Sequence, residues 1–200
     1  MGDFLIVPRF ALAYRALMSA PVGDSFDCHV FACALAVAGM EPRPLTEGLG
    51  LSASALKAML SRHFPSLSLV LPEGAGSDAL EEPDLRALLL EHRSTGAIIE
   101  EWLCAIIARR SLGSNHLWQD MGLSGRGEVS ILLNRHFHSL ARQNTNNMKW
   151  KKFFYRQLCL REDVLICKSP RCDSCDDFPE CFGDEIPLGE RWEAGHDHRQ

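Results

Sequence analysis

Four of the chain's eight cysteines fall within one fifteen-residue segment, and thiolates grouped this closely are suited to holding a metal. They are Cys167, Cys172, Cys175 and Cys181, in the spacing C-x4-C-x2-C-x5-C. Two prolines interrupt the segment, and because proline lacks a backbone donor they disfavour a regular helix or strand there. The pattern therefore predicts a loop whose four thiolates converge on a metal ion or an iron–sulfur cluster.

The spacing of these cysteines favours an iron–sulfur cluster but leaves zinc open. Structural zinc sites usually combine two close cysteine pairs that lie a dozen or more residues apart, and only Cys172 and Cys175 form such a pair. The first three cysteines match the C-x4-C-x2-C run of plant-type ferredoxins, in which the fourth ligand lies much further along the chain. Unrelated or disulfide-bonded cysteines are a third alternative, which a reducing compartment disfavours.

A basic and aromatic helix is predicted directly before the cysteine segment, over residues 148–161. Residues 134–161 hold seven Lys or Arg and no carboxylate, whereas the whole net charge of −5 lies in residues 167–200. The apolar residues that recur at helical spacing, and that we expect to face the core, are Trp150, Phe153, Phe154 and Leu158. The lysines of this helix would then form a solvated face.

The basic residues of this helix have three candidate uses. They are Lys149, Lys151, Lys152 and Arg156. A solvated helix face is the simplest interpretation, and it is favoured over nucleic-acid binding. The third use is to bind an inorganic oxyanion such as molybdate or sulfate, or an acidic partner, close to the metal site. We therefore treat these residues as a candidate oxyanion-binding or docking site and expect no nucleic-acid partner.

Two residues outside the segment are candidate additional ligands. His29 lies one helical turn before Cys33, so both could reach one metal ion, although a buried thiol and a hydrogen-bonded histidine are the simpler interpretation. Cys159 precedes Cys167 by eight residues and is a candidate spare ligand, with a buried thiol as the alternative. His136 lies on an apolar stripe and is expected to be a hydrogen-bonded core residue.

Helical periodicity dominates the rest of the chain and predicts an all-α bundle of about seven helices. Five helices are predicted over residues 10–19, 26–39, 95–111, 124–142 and 148–161, and two more are predicted to begin at residues 52 and 83. Asp24 or Ser25 and Ser52 are predicted N-caps, and Pro83 is expected in a first helical turn. The predicted organisation is a helical domain over residues 1–162, a cysteine-rich cluster-binding loop over 163–185 and a polar acidic tail over 186–200.

Composition and the N-terminal sequence predict a cytoplasmic protein without membrane attachment. The chain has 200 residues, of which 46% are apolar, enough for a sizeable core. The apolar run near the N-terminus is too short for a signal peptide, and the myristoylation pattern is not met. The longest uncharged apolar run, Val30–Met40, has about half the length of a membrane span.

Several stretches of the chain resemble the NifQ family of nitrogen-fixation proteins. They are Asp27-Cys-His-Val-Phe-Ala, Asp84-Leu-Arg-Ala-Leu-Leu-Leu, His116-Leu-Trp-Gln-Asp-Met-Gly, the basic helix from Met148 to Cys159, the cysteine segment itself and the run Cys181-Phe-Gly-Asp-Glu. The resemblance covers most of the chain, and the family's cysteine motif maps without gaps onto the four cysteines of the segment. It implies a carrier, rather than an enzyme, that holds a molybdenum–iron–sulfur cluster or its 4Fe–4S or 3Fe–4S precursor.

The resemblance also implies a destination for the molybdenum, which is the iron–molybdenum cofactor of nitrogenase. The implied partners are the cofactor-assembly scaffold NifE–NifN, the dinitrogenase reductase NifH, and molybdate or another molybdenum source. From the residues alone, two other classes remain open. One is a zinc-stabilised interaction or nucleic-acid-binding module, and the other is a redox enzyme, although no flavin or nicotinamide fingerprint is present.

Overall fold

The computed structural model describes residues 6–67, 78–161, 181–183 and 185, and within this part of the chain only helices and connecting turns occur. The helices of the described residues are α1 (Ile6–Leu17), α2 (Ser25–Ala38), α3 (Leu45–Leu49), α4 (Ala53–His63), α5 (Glu82–Glu91), α6 (Ile98–Ser111), α7 (Leu117–Asp120), α8 (Arg126–His136), α9 (His138–Ala141) and α10 (Trp150–Arg161). The all-α prediction is confirmed. The predicted domain boundaries remain predictions, because residues 162–180 and 186–200 lie outside the described residues.

The described residues form ten helices rather than about seven, because short helices are added and one long helix is broken. The short helices α3 and α7 contain too few residues to show a hydrophobic period. The helix predicted over residues 124–142 breaks at Phe137, whose backbone is not helical (φ −138°, ψ 46°). Ser94 stabilises the break, since its backbone N–H donates to the His136 carbonyl at 2.9 Å and its hydroxyl accepts from the His138 N–H at 3.0 Å.

Helix α2 lies at the centre of the molecule, as its apolar sequence predicts. Ten of its 14 residues are buried. The Asp24 carboxylate caps its N-terminus by accepting from the N–H groups of Phe26 at 2.9 Å and Asp27 at 3.1 Å, and Gly39 ends it. A hydrogen bond from the Arg135 side chain, together with these backbone donors, lowers the pKa of Asp24 to about 2. The predicted N-cap of this helix at Asp24 is confirmed.

A buried polar cluster ties α2, α6 and α8 together around His136. The His136 Nε2 atom lies 2.9 Å from Asp27 Oδ1, and its Nδ1 atom lies 3.9 Å from Glu100 Oε1. Glu100 is fully buried and also accepts from the backbone N–H of Gly96 at 2.7 Å. The hydrogen bonds at Asp27 and Gly96 stabilise the cluster, because an unpaired buried polar group costs free energy. The prediction of His136 as a hydrogen-bonded core residue is confirmed.

Helix α10 packs against α5 and presents its aromatic stripe to the core. Trp150, Phe153 and Phe154 are buried, and Leu158 is partly buried against the same core, as predicted. At the far end of the helix, Arg161 forms an ion pair with Glu91 of α5. The described helices include none that is both long and apolar enough to cross a membrane.

Candidate metal centre

The beginning of α10 is fixed by an asparagine-rich turn. The Asn144 carboxamide both accepts from the Met148 N–H and donates to the Met148 carbonyl, each at 2.8 Å. Asn147 adopts a left-handed backbone conformation (φ 54°), which asparagine tolerates better than most residues. The turn therefore sets where Lys149 and the first residues of α10 lie.

A backbone hydrogen bond joins Cys181, the last cysteine of the segment, to the end of this turn. The Lys149 N–H donates to the Cys181 carbonyl at 2.8 Å, although 32 positions separate the two residues. The Cys181 and Phe182 side chains are partly buried and pack against the hydrophobic core. The end of the cysteine segment is therefore bound to the start of the basic helix, while the side chain of Cys181 keeps part of its surface exposed.

Arg126, at the first position of α8, forms a second connection between the segment and the helical body. Its guanidinium donates to Glu185 Oε1 at 2.6 Å and to the carbonyls of Met148 at 2.6 Å and Asn147 at 3.0 Å. It also lies over the indole ring of Trp150, 5.8 Å from the ring centroid, at a distance suited to a cation–π contact. Arg126 thus bridges the residues before α10 and those after Cys181.

The lysines of the basic helix do not form one solvated face, which corrects the expectation from sequence. Lys149 is buried, with 7% of its surface exposed, and of the three lysines only Lys152 is exposed. The Lys151 ammonium donates to the Gly113 carbonyl at 2.8 Å and is paired with Asp120. Burial lowers the pKa of Lys151, and the neighbouring Asp120 carboxylate opposes that shift. The helical period did not indicate these partners because they lie in a distant part of the chain, Gly113 on the loop before α7 and Asp120 at the end of α7.

A cavity of about 250 Å³ lies between that loop and the beginning of α10. Its walls consist of residues 113–117 and 149–152 together with Glu185. Arg156, the fourth basic residue of the candidate set, instead lines a separate cavity of about 300 Å³ that also includes Phe182. The candidate docking residues are therefore divided between two cavities that both adjoin the end of the cysteine segment.

The predicted ligand set is only partly covered by the structure. Cys181 is described, whereas Cys167, Cys172 and Cys175 lie outside the described residues. Within the described part of the chain, no group of three or more His, Cys, Asp or Glu side chains is arranged to hold a metal ion. The four-thiolate site therefore remains a prediction that has one located member.

His29, the first candidate for an additional ligand, has partners on both sides of its ring. Its Nε2 atom lies 3.3 Å from a carboxylate oxygen of Glu128, and its Nδ1 atom lies 2.9 Å from the Tyr14 hydroxyl. The Cys33 sulfur is 3.8 Å from both ring nitrogens, but burial and then the Glu128 charge raise the pKa of the Cys33 thiol to about 12. The side chains do lie together as the helical spacing predicts, and they form a hydrogen-bonded cluster. Cys159, the other candidate, is partly buried on α10.

Sequence reasoning missed Arg126, Asn144 and Glu185, which position the end of the segment. Arg126 stands in a polar stretch at a helix start and looks like a surface residue. Its contacts are with residues 21 to 59 positions away, which no local pattern reveals. The run Asn144-Thr-Asn-Asn147 was an available signal, because asparagine clusters before a helix indicate a turn.

These features define an all-α protein in which the end of a cysteine-rich segment is fastened to the start of a basic helix. The sequence model of the NifQ family matches residues 30–183, a range that includes all four cysteines of the segment. The chain therefore belongs to the NifQ family. NifQ proteins are nitrogen-fixation proteins.

Curated relatives agree with this assignment. A NifQ homolog from Sinorhizobium fredii is 43% identical over 166 residues, covering 79% of this chain and 72% of the relative. NifQ from Azotobacter vinelandii is 38% identical, covering 69% of this chain and 78% of the relative. NifQ from Rhodobacter capsulatus is 41% identical, covering 70% and 78% respectively. No solved structure matches the fold.

Proposed function

We propose that this nitrogen-fixation protein carries a molybdenum–iron–sulfur cluster and supplies its molybdenum for the iron–molybdenum cofactor of nitrogenase. The observation that carries the proposal is the bonding of Cys181 to the start of α10, beside a cavity with three lysines. Membership of the NifQ family supports it, since the family match includes every cysteine of the segment. Because the cluster is cargo to be handed on, the protein needs no catalytic turnover of its own.

The proposed ligands are the thiolates of Cys167, Cys172, Cys175 and Cys181. They lie within 14 positions of one another, and at about 3.5 Å per residue the chain is long enough to bring all of them to one centre. Thiolates are the usual ligands of iron in such clusters. The lysines at the start of α10 offset the negative charge of a thiolate-bound cluster near Cys181. The donor set and its surroundings thus fit an iron–sulfur cargo.

A carrier must also be able to release its cargo, and the attachment of Cys181 is suited to that. Cys181 is only partly buried, and the described contacts that hold the end of the segment include one backbone hydrogen bond and the ion pair between Arg126 and Glu185. Contacts of this kind open at a lower free-energy cost than a buried helical core does. The helical body can therefore stay folded while the ligands are exchanged.

Before molybdenum is added, the segment would hold a 4Fe–4S or 3Fe–4S precursor. His29 and Cys159 are proposed only as auxiliary ligands. His29 would have to leave Tyr14 and Glu128 to bind a metal, which makes it a costly choice. Cys159 needs no such exchange of described contacts and is the simpler auxiliary ligand.

The proposed partners are those that receive or provide molybdenum in cofactor assembly. They are the scaffold NifE–NifN, the reductase NifH, and molybdate or another molybdenum source. The exposed Lys152 and the partly buried Arg156 adjoin the end of the cysteine segment and could bind an acidic surface of such a partner. No nucleic acid is proposed as a partner.

The experiment that tests the function is metal and sulfide analysis of full-length protein purified without air. We expect iron, sulfide and molybdenum in the protein, with an electron paramagnetic resonance signal from the reduced cluster. The competing function is a zinc-stabilised interaction or nucleic-acid-binding module that uses the same four thiolates. Zinc in place of iron and molybdenum would support that module and contradict the carrier.

A further inference from the structure

We propose that the cavity between residues 113–117 and the start of α10 binds a tetrahedral oxyanion of the molybdate and sulfate class. The proposal rests on the carrier function for the identity of the physiological anion, which would be molybdate. The side chains that line the cavity, their charges and the position of the cavity next to Cys181 support the site.

The cavity has the size and the hydrogen-bond donors that such an anion requires. Its volume is about 250 Å³, and at roughly 30 Å³ per water molecule it can hold an oxyanion with several waters. Ser114 and His116 contribute side chains that can donate hydrogen bonds. The Asn115 carboxamide uses one N–H on Asp120, at 3.0 Å, and keeps a second N–H for a ligand.

The lining of the cavity carries more positive than negative charge. Lys149, Lys151 and Lys152 all line the cavity, whereas Glu185 is the one carboxylate in its lining as described. That carboxylate is paired with Arg126 at 2.6 Å, and Lys151 is paired with Asp120 beside the lining. With Arg126 and Asp120 included, four cationic side chains face two carboxylates, so the formal charge stays positive. Lys151 uses two of its three ammonium hydrogens on Gly113 and Asp120, so one remains for a ligand oxygen. A dianion entering the cavity therefore meets net positive charge and directed donors.

A neighbouring cavity of about 480 Å³ is less suited to an anion. It is also rich in basic residues, with Arg43, Arg109 and Arg110 in its walls. Its walls contain three carboxylates as well, those of Glu41, Glu82 and Asp120. The formal charges of its lining therefore balance, and an anion gains little from entering it. The cavity at the start of α10 has the surplus that the larger cavity lacks.

The position of the cavity links it to the proposed cluster ligands. Lys149 belongs to its wall, and the backbone N–H of the same residue donates to the Cys181 carbonyl at 2.8 Å. An oxyanion held here would lie beside the end of the cysteine segment. The protein would thus concentrate molybdate near the thiolates that hold the cluster.

Equilibrium dialysis of the metal-free, full-length protein against molybdate tests the site. We expect saturable binding in which sulfate competes. Lys152→Gln should weaken binding about fivefold, and Lys152→Glu should weaken it further, because each removes positive charge from the lining. The matched control is Lys57→Gln, at an exposed lysine of α4 that does not line the cavity, and it should leave the affinity unchanged. Absence of saturable binding, or equal affinity of the Lys152 variants and the wild type, would overturn the proposal.

A full-length variant in which the four cysteines of the segment are serine separates this site from the carrier function. Retained molybdate binding would support the cavity as the site. Loss of binding in this variant would place the anion on the thiolates and overturn the cavity site without affecting the carrier function. Lysine-dependent molybdate binding by a protein that never assembles an iron–sulfur cluster would uphold the site and contradict the carrier.

Discussion

The backbone N–H of Lys149 donates a 2.8 Å hydrogen bond to the carbonyl of Cys181. This bond brings the last predicted cluster ligand to the first turn of the basic helix, against a core that contains Trp150 and Phe153. It gives a physical reason for the order of the elements in the chain. The basic helix leads into the cysteine segment, and the end of the segment returns to the helix start.

The ion pair between Arg126 and Glu185 should control how firmly the cluster is held. Arg126→Gln and Glu185→Gln each remove a charge-assisted hydrogen bond, and loss of iron from the protein to a chelator should accelerate about tenfold, as for about 1.4 kcal/mol. Iron release is followed by the absorbance of the chelator complex. The control is Arg142→Gln, which removes the same charge from an exposed arginine. Release as slow as in the wild type would show that Arg126 does not position the ligand segment.

The reactivity of the thiols should separate core cysteines from ligands. Cys28, Cys33 and Cys104 are buried, and burial raises the pKa of Cys33 and of Cys104 to about 12. These three of the eight cysteines should react with a thiol reagent only on unfolding, because the thiolate is the reactive form. The four segment cysteines should react in the metal-free protein and be protected in the cluster-loaded protein. If the four segment cysteines were as well protected from the reagent in the metal-free protein as in the cluster-loaded protein, their role as ligands would be contradicted.

Acid should destabilise the helical body partly through His63. This histidine is buried beside Phe31 and Trp102, its Nδ1 atom lies 3.1 Å from the Val22 carbonyl, and burial lowers its pKa from 6.5. The unfolded chain therefore binds the proton at a higher pH than the folded chain does. The stabilisation is fully present above about pH 6.5 and is lost as the pH falls toward the lower folded pKa.

The substitution His63→Gln tests this dependence by chemical denaturation at several pH values. The free energy of unfolding of the variant should change less between about pH 7.5 and pH 5 than that of the wild type. His138→Gln, at an exposed histidine, is the matched control and should keep the dependence of the wild type. An unchanged pH slope in His63→Gln would assign the acid sensitivity to other groups.

The helical body should fold without the cluster. The core of the described residues is contributed by all the long helices, including α2, α6 and α10, and contains no predicted cluster ligand other than the partly buried Cys181. Thermal unfolding followed by circular dichroism should therefore show the full helical signal in the presence of a chelator, with a cooperative transition. Loss of that signal on metal removal would mean that the metal site is structural.

Local patterns predicted the parts of this fold that local interactions determine. The capping of α2 by Asp24 and of α4 by Ser52, and the buried stripe of α10, follow from side chains a few positions apart. The break at Phe137 could not be predicted, because Ser94, which stabilises it, lies more than 40 positions away. The burial of Lys149 likewise depends on packing between distant parts of the chain.

The candidate site, too, could be predicted only where residues close in sequence determine it. The grouping of His29 with Cys33 was visible as a spacing of four on one helix, and the structure brings them together. The contribution of Arg126 could not be predicted from the sequence, because it arises only when the fold brings Glu185 and Met148 within hydrogen-bond distance of its guanidinium. The spacing of the cysteines predicted their chemistry but could not show that Cys181 rests against the start of α10.

The most direct test of the carrier is the iron, sulfide and molybdenum content of full-length protein purified without air, compared with its cysteine variants. The wild type should be brown and contain all three elements. Single substitutions of Cys167, Cys172, Cys175 or Cys181 by serine should abolish the absorbance and the electron paramagnetic resonance signal, whereas Cys104→Ser, in the core, should retain both. Iron, sulfide and molybdenum retained at the level of the wild type when all four segment cysteines are serine would contradict the account.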